Sequence, residues 1–201
     1  MATFTIKQLY AASPGTQIPG ARVSGWVRTV RQSKSFAFIE LNDGTYFKNL
    51  QIVLEEAAVP DYQALLRRVG VGAAVQALGA IVPTPGMKQP FELKADAVEV
   101  LGESPGDYPL QKKRHTLEYL RTIAHLRPRA NLFQCAFRVR SLAAQALHRF
   151  FHDRGFVYVH TPIITGSDCE GAGEMFRVTT LDAANPPRNP DGSEIGRASW
   201  R

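Results

Sequence analysis

Apolar and polar positions alternate with a period of two along much of the first hundred residues, and the period then lengthens to that of a helix. Arg22–Arg31 (RVSGWVRTVR) alternates through Val23, Gly25 and Val27, and Ser35–Asn42 (SFAFIELN) alternates again before the turn dipeptide Asp43-Gly44. Leu50–Leu54 reads as a third strand. Ala73–Val82 and Phe91–Leu101 read as a fourth and a fifth, joined by a Pro- and Gly-rich loop at Pro83–Pro90. Between the third and fourth, Asp61–Val69 has helical spacing, with Pro60 at its entry and Gly70 at its exit. Five strands with a helix between the third and fourth is the order of the OB-fold, a barrel used for single-stranded nucleic acid.

Glu103–Lys113 (ESPGDYPLQKK) breaks the alternation with two prolines and a glycine and reads as a linker between domains. Helical spacing resumes from about Thr116 to Ala124 and is interrupted near Pro128. A long helix is predicted from about Ala130 to Asp153, with Phe133, Phe137, Leu142, Ala146, Leu147, Phe150 and Phe151 on one face. Arg154-Gly155 ends it, because glycine enters the left-handed conformation easily. Phe156–Val159 is predicted to be a short strand, and the Asn- and Pro-rich stretch after Ala183 a loop. The expected class is therefore α+β: an OB-fold barrel over 1–102, a linker over 103–115, and a second, incomplete domain over 116–201.

Charge sharpens this picture. The chain of 201 residues carries a formal net charge of +6. Lys112–Arg154 alone holds ten Lys or Arg against Glu118 and Asp153. Such a stretch suits a polyanion, of which nucleic acid is the usual one, or forms a solvated charged face. Cys135 and Cys169 have neither the CxxC spacing nor the histidine neighbours of a zinc site; Cys135 is expected to be a small core residue of the long helix. No stretch approaches the roughly 18 apolar residues of a membrane span, and no signal peptide is read, so the cytoplasm is the expected compartment.

Candidate chemistry lies on the first three strands. Arg28, Arg31 and Lys34 offer cations to phosphate, Phe38 an aromatic face to a splayed base, and Gln51 a donor and an acceptor to a base edge. Phe36 and Phe38 share one face of their strand, and Ala37 and Ile39 the other. One pair must be outside, and alternation of these four alone allows either.

The runs Gly25–Arg31, Ser35–Gly44 and Lys48–Gln51 resemble the N-terminal anticodon-binding domain of the class IIb aminoacyl-tRNA synthetases for Asn, Asp and Lys. Gln111–His115, Arg121–Arg129 and the stretch Ser167–Leu181 (SDCEGAGEMFRVTTL) resemble the bacterial asparaginyl enzymes, as do Gly155–Thr165 and their Thr-Pro, which look like motif one. The resemblance covers roughly Arg22 to Pro190. It implies that Phe38 stacks the central anticodon base and Gln51 reads its edge. It further implies that Arg31 meets the anticodon stem, Glu92 contacts another base, Glu170 binds the amino group of the amino acid, and Pro162 packs at a homodimer interface. The five histidines are read as structural, and no catalytic or metal-binding residue is assigned.

What the resemblance implies for the whole enzyme is ATP-dependent attachment of asparagine to tRNA(Asn) through an aminoacyl-adenylate, with ATP and Mg2+. The residues that hold ATP and Mg2+ lie beyond motif one in that family. This stretch is therefore expected to bind a tRNA anticodon but not to aminoacylate alone. A stand-alone OB-fold RNA-binding protein and a fragment of an aspartyl or non-discriminating synthetase are the alternatives.

Overall fold

The computed structural model describes residues 2–162, 164, 182 and 184–192, and the chain divides into two compact units, residues 1–143 and 144–201. The first unit contains β1 (Ala2–Thr3), α1 (Ile6–Ala12), β2 (Ile18–Gln32), β3 (Phe36–Asn42), β4 (Leu50–Glu55), α2 (Tyr62–Arg68), β5 (Ala74–Pro83) and β6 (Phe91–Gly102). After them come α3 (Leu117–Thr122), a 3-10 turn at Arg127–Arg129, and α4 (Asn131–His152), within which the division between the units falls.

The five expected strands close into a ring. β2 pairs antiparallel with β3 and with β5, β3 with β4, and β5 with β6, while β4 and β6 run parallel. Closure satisfies the strand edges that an open sheet would leave exposed. β2 serves two neighbours by changing partner near Trp26, which faces Asn42 of β3 and Ala74 of β5. Gly25 permits the close approach there, since a Cβ would lie 2.7 Å from the Asn42 carbonyl oxygen. Val23, Val27, Ile39, Leu41, Ile52, Leu54, Val75, Ile81, Phe91 and Leu93 fill the interior, each at most 1% exposed. Burial of such side chains stabilises by about 1.5–3 kcal/mol apiece.

Helix α1, which the sequence pattern did not announce, adds Ile6 and Leu9 to the same core. Its first turn is held from two sides. Thr5 and Gln8 form a reciprocal capping box, while the Asp43 carboxylate accepts from the Ile6 N–H at 2.7 Å and the Thr45 hydroxyl from the Lys7 N–H at 3.1 Å. Asp43 also accepts from the Thr45 N–H and hydroxyl, so one carboxylate orders both the turn after β3 and the start of α1. Asp43→Ala is expected to destabilise the unit by about 1–3 kcal/mol and to speed amide exchange in residues 5–9, measured by urea unfolding and hydrogen exchange. Tyr10 packs between Tyr46 and Phe91, its ring tilted to both, and donates to the Asn49 carbonyl. Burial, with Tyr46 beside it, raises the pKa of its hydroxyl above the ordinary value.

The segment after β6 has no regular structure up to Leu117, yet it is fastened to the barrel. Leu110 is buried, Arg28 donates to the Arg129 carbonyl at 2.9 Å, and Arg129 donates to the Tyr108 hydroxyl while lying over the Trp26 ring.

Helix α4 matches its predicted extent within one residue, but none of its side chains is buried. Cys135, expected in a core, is exposed, because no described residue covers the helix at that point. In the second unit the helix ends as its sequence implies. Gly155 takes φ +81°, its N–H bonds the His152 carbonyl, and the Phe156 N–H bonds that of Phe151. This is the paired closure of a Schellman motif, and the Phe151 and Phe156 rings meet edge to face across it. The strand expected at Phe156–Val159 is not formed. A strand needs a neighbour for its backbone groups, and these side chains stand 62–84% exposed with no pairing among the described residues. Among the described residues no helix is long and apolar enough to cross a membrane.

Candidate nucleic-acid interface

Strand β3 decides which pair of residues faces out. Ala37, Ile39 and Leu41 are fully buried, while Phe36 is 41% exposed and Phe38 and Glu40 lie half-buried on the outer side. Register then builds a patch across four strands. Arg31 of β2 faces Phe38, Glu40 faces Gln51 of β4, and the parallel pairing of Ile52 with Leu93 brings Gln51 beside Glu92 of β6. Neighbouring strands lie about 4.8 Å apart, so these side chains reach one another. Val53, opposite Phe38, is nearly buried and forms an apolar floor.

The patch is ordered by its own contacts. Gln51 Nε2 donates to Glu92 Oε2 at 3.1 Å, which fixes the amide and leaves its carbonyl oxygen without a partner among the described residues. Glu40 sits 3.8 Å from an Arg31 guanidinium nitrogen and accepts from Asn49 Nδ2 at 3.3 Å. Asn49 in turn accepts from Asn42. The result is one aromatic face flanked by a cation, a carboxamide and two carboxylates. A flat ring takes any base by stacking, and the polar groups beside it can discriminate base edges.

All four barrel residues singled out in the sequence, Arg31, Phe38, Gln51 and Glu92, thus share this face. Lys34 is exposed in the loop between β2 and β3. Arg28 departs from expectation. A register irregularity between Val27 and Thr29 turns it out of the ladder, and its guanidinium is engaged by the Arg129 carbonyl instead of being free for phosphate. Burial lowers the Arg28 pKa from its ordinary value, aided by the Arg129 charge and opposed by Tyr108 and Glu40. Three polar residues of the same region, Thr29, Glu40 and Asn49, were not anticipated. Pro162 is exposed. Glu170 lies outside the described residues.

Comparisons with known proteins bear on the family and the fold. Residues 21–101 match the family described as OB-fold nucleic acid binding domain, and residues 116–185 match tRNA synthetases class II (D, K and N). The asparagine–tRNA ligase of Acetivibrio thermocellus is 62% identical over 193 residues, 96% of this chain and 41% of that protein. That of Clostridium perfringens is 54% identical over 93% of this chain and 40% of its own length. Among solved structures, asparaginyl-tRNA synthetase from Pyrococcus horikoshii complexed with asparaginyl-adenylate superposes with a TM-score of 0.75 at 18% identity, over 89% of this chain and 41% of that one. The Entamoeba histolytica enzyme gives 0.66 at 20% identity, over 82% and 38%. At such identities the structural likeness speaks for the fold alone. An OB-fold barrel followed by class II synthetase sequence, matched along nearly its whole length by asparagine–tRNA ligases of which it spans about two fifths, makes this chain a member of the class II asparaginyl-tRNA synthetase family.

Proposed function

We propose that the outer face of the barrel binds the anticodon loop of tRNA(Asn), with residues 1–102 as the anticodon-binding domain, 103–115 as the linker and 116–201 as the start of the catalytic domain. Phe38 stacks the central base and Gln51 reads its edge. Arg31 neutralises backbone phosphate, and Glu92 both orients Gln51 and accepts from a second base. The observation that carries this reading is the row of Arg31, Phe38, Gln51 and Glu92 on one outward surface, with the Gln51 amide already aimed by Glu92.

The whole protein to which this stretch corresponds would then attach asparagine to tRNA(Asn) through an asparaginyl-adenylate, the asparagine carboxylate displacing pyrophosphate from ATP and the tRNA ribose hydroxyl then displacing AMP. Glu170 would hold the amino group of asparagine, and Pro162 would pack at a homodimer interface. Among the described residues no three His, Cys, Asp or Glu gather where a metal ion could sit. No step involving ATP or Mg2+ is assigned to these residues.

Titration of the chain with the tRNA(Asn) anticodon stem-loop tests the reading. Changing the central uridine to cytidine is expected to cost about 1–3 kcal/mol, because a group aimed at one base edge is left unpaired. Gln51→Ala should level that difference. Equal affinity for all four central bases in the unaltered chain would contradict the assignment.

A further inference from the structure

We propose that Arg138 of α4 is a positioning residue for the base-reading face, acting over a run of hydrogen bonds that ends on Glu40 and keeps that carboxylate off Arg31. The proposal rests on the anticodon-loop reading and adds to it a residue outside the barrel. Every member of the run lies in the first unit.

The run passes through the turn between β3 and β4 and has one polarity throughout. The Arg138 guanidinium donates to the Gly44 carbonyl and lies over the Phe47 ring, 5.2 Å from its centroid. The Gly44 N–H donates to Asn42 Oδ1 at 2.9 Å, Asn42 Nδ2 to Asn49 Oδ1 at 2.9 Å, and Asn49 Nδ2 to Glu40 Oε2 at 3.3 Å. A cation heads the run and a carboxylate closes it, with both amides turned head to tail between them. At Gly44 the link is mechanical, since its N–H and C=O belong to different peptide groups. Beyond Gly44, bonds aligned in this way polarise and strengthen one another. The turn has little slack to absorb a change at either end. Asp43 and Thr45 hold it to the first turn of α1, and the Asn49 carbonyl accepts from Tyr10.

Glu40 supplies the second state that a coupling needs. One of its oxygens sits 3.8 Å from an Arg31 guanidinium nitrogen, while the other takes the Asn49 amide. That gap exceeds the roughly 2.7–2.9 Å of a charge-assisted hydrogen bond. Released from Asn49, the carboxylate closes the gap and pairs with Arg31. Arg31 is exposed and is the cation assigned above to backbone phosphate, so such a pair withdraws it from RNA. Held by Asn49, Glu40 leaves it available. Coupling between two ends is reciprocal, so RNA on the face also tightens the seat of Arg138 on the turn.

The test uses the full chain and a labelled anticodon stem-loop RNA, titrated at several salt concentrations, with each variant checked for an unchanged melting curve. Arg138→Ala should bind about threefold to tenfold more weakly and lower the slope of log K against log salt by up to about 0.7, the share of one contact to a single strand. In a Glu40→Gln background, where no carboxylate can take Arg31, the same substitution should have no effect. A loss that persists there means that Arg138 touches the RNA itself and overturns the proposal, as does undiminished binding by Arg138→Ala. Amide exchange reads the reverse direction without any substitution at Arg138. Saturating stem-loop should slow exchange of the Gly44 N–H in the unaltered chain and not in Asn49→Ala, and an unchanged rate in the unaltered chain also overturns the proposal. Weakened binding by Phe38→Ala beside any of these failures leaves the anticodon reading standing. If Phe38→Ala binds as well as the unaltered chain, the anticodon reading and the role of Arg138 fall together.

Discussion

Phe38→Ala is expected to weaken binding of the tRNA(Asn) anticodon loop by about 1–3 kcal/mol, a loss of roughly 5- to 150-fold, while changing the unfolding free energy by less than about 1 kcal/mol. The two effects separate because of where the side chain stands. Its neighbours in sequence, Ala37 and Ile39, point into the barrel and are fully buried, whereas Phe38 lies on the outer row with Arg31 and Glu40. Removing the ring takes away a stacking surface but leaves no cavity in the core. Fluorescence anisotropy with a labelled stem-loop gives the first quantity and urea unfolding the second. A variant that unfolds readily yet binds normally would place the ring in the core and remove the basis for base stacking.

The largest expected effect on stability comes from Gly79→Ala. A methyl group at that position would sit 1.9 Å from the Lys94 carbonyl oxygen and 2.8 Å from the Ala95 Cα, and both atoms are backbone. Neither can swing aside as a side chain would. Gly79 pairs with Ala95 of β6 next to a register irregularity, and with Ala21 of β2 on its other edge, where β5 closes the ring. Relief of the clash requires β5 and β6 to separate locally at a position that joins three strands. Ordinary overpacking costs about 1–3 kcal/mol, so a backbone clash of this kind is expected to cost about 3 kcal/mol or more. That is a large share of the 5–15 kcal/mol typical of a folded domain. Urea unfolding monitored by circular dichroism measures it, and a loss below about 1 kcal/mol would mean that the two strands part easily at this point.

Much of the barrel could be read from alternation, because a strand with one buried face must alternate, and all five strands and α2 lie where that pattern puts them. The outward placement of Phe38 was legible as well. Glu40 shares its parity, and an unpaired carboxylate on the core face would be costly, so the face bearing Glu40 has to be the outer one. The meeting of Gln51 with Glu92 was not legible from local pattern. It depends on the parallel pairing of β4 with β6 across 41 positions of sequence. Nor could alternation foresee the irregularity that turns Arg28 toward the Arg129 carbonyl and leaves the Thr29 hydroxyl buried without a partner among the described residues. The periodicity of α4 announced an apolar stripe correctly, but a stripe does not say what covers it, which is why Cys135 is exposed. The same reasoning explains Phe156–Val159: β-rich composition favours an extended chain and cannot supply the neighbour a strand requires.

The claim on which the functional account depends is that the Phe38 ring lies against the middle base of a tRNA anticodon. Photo-cross-linking tests it most directly, with iodouridine at the central position of the tRNA(Asn) anticodon and mass spectrometry of the linked peptide. The account predicts a single dominant adduct on Phe38, lost in Phe38→Ala and competed away by unlabelled stem-loop. An adduct confined to residues outside the β2–β3–β4 face, unchanged in Phe38→Ala, would contradict it.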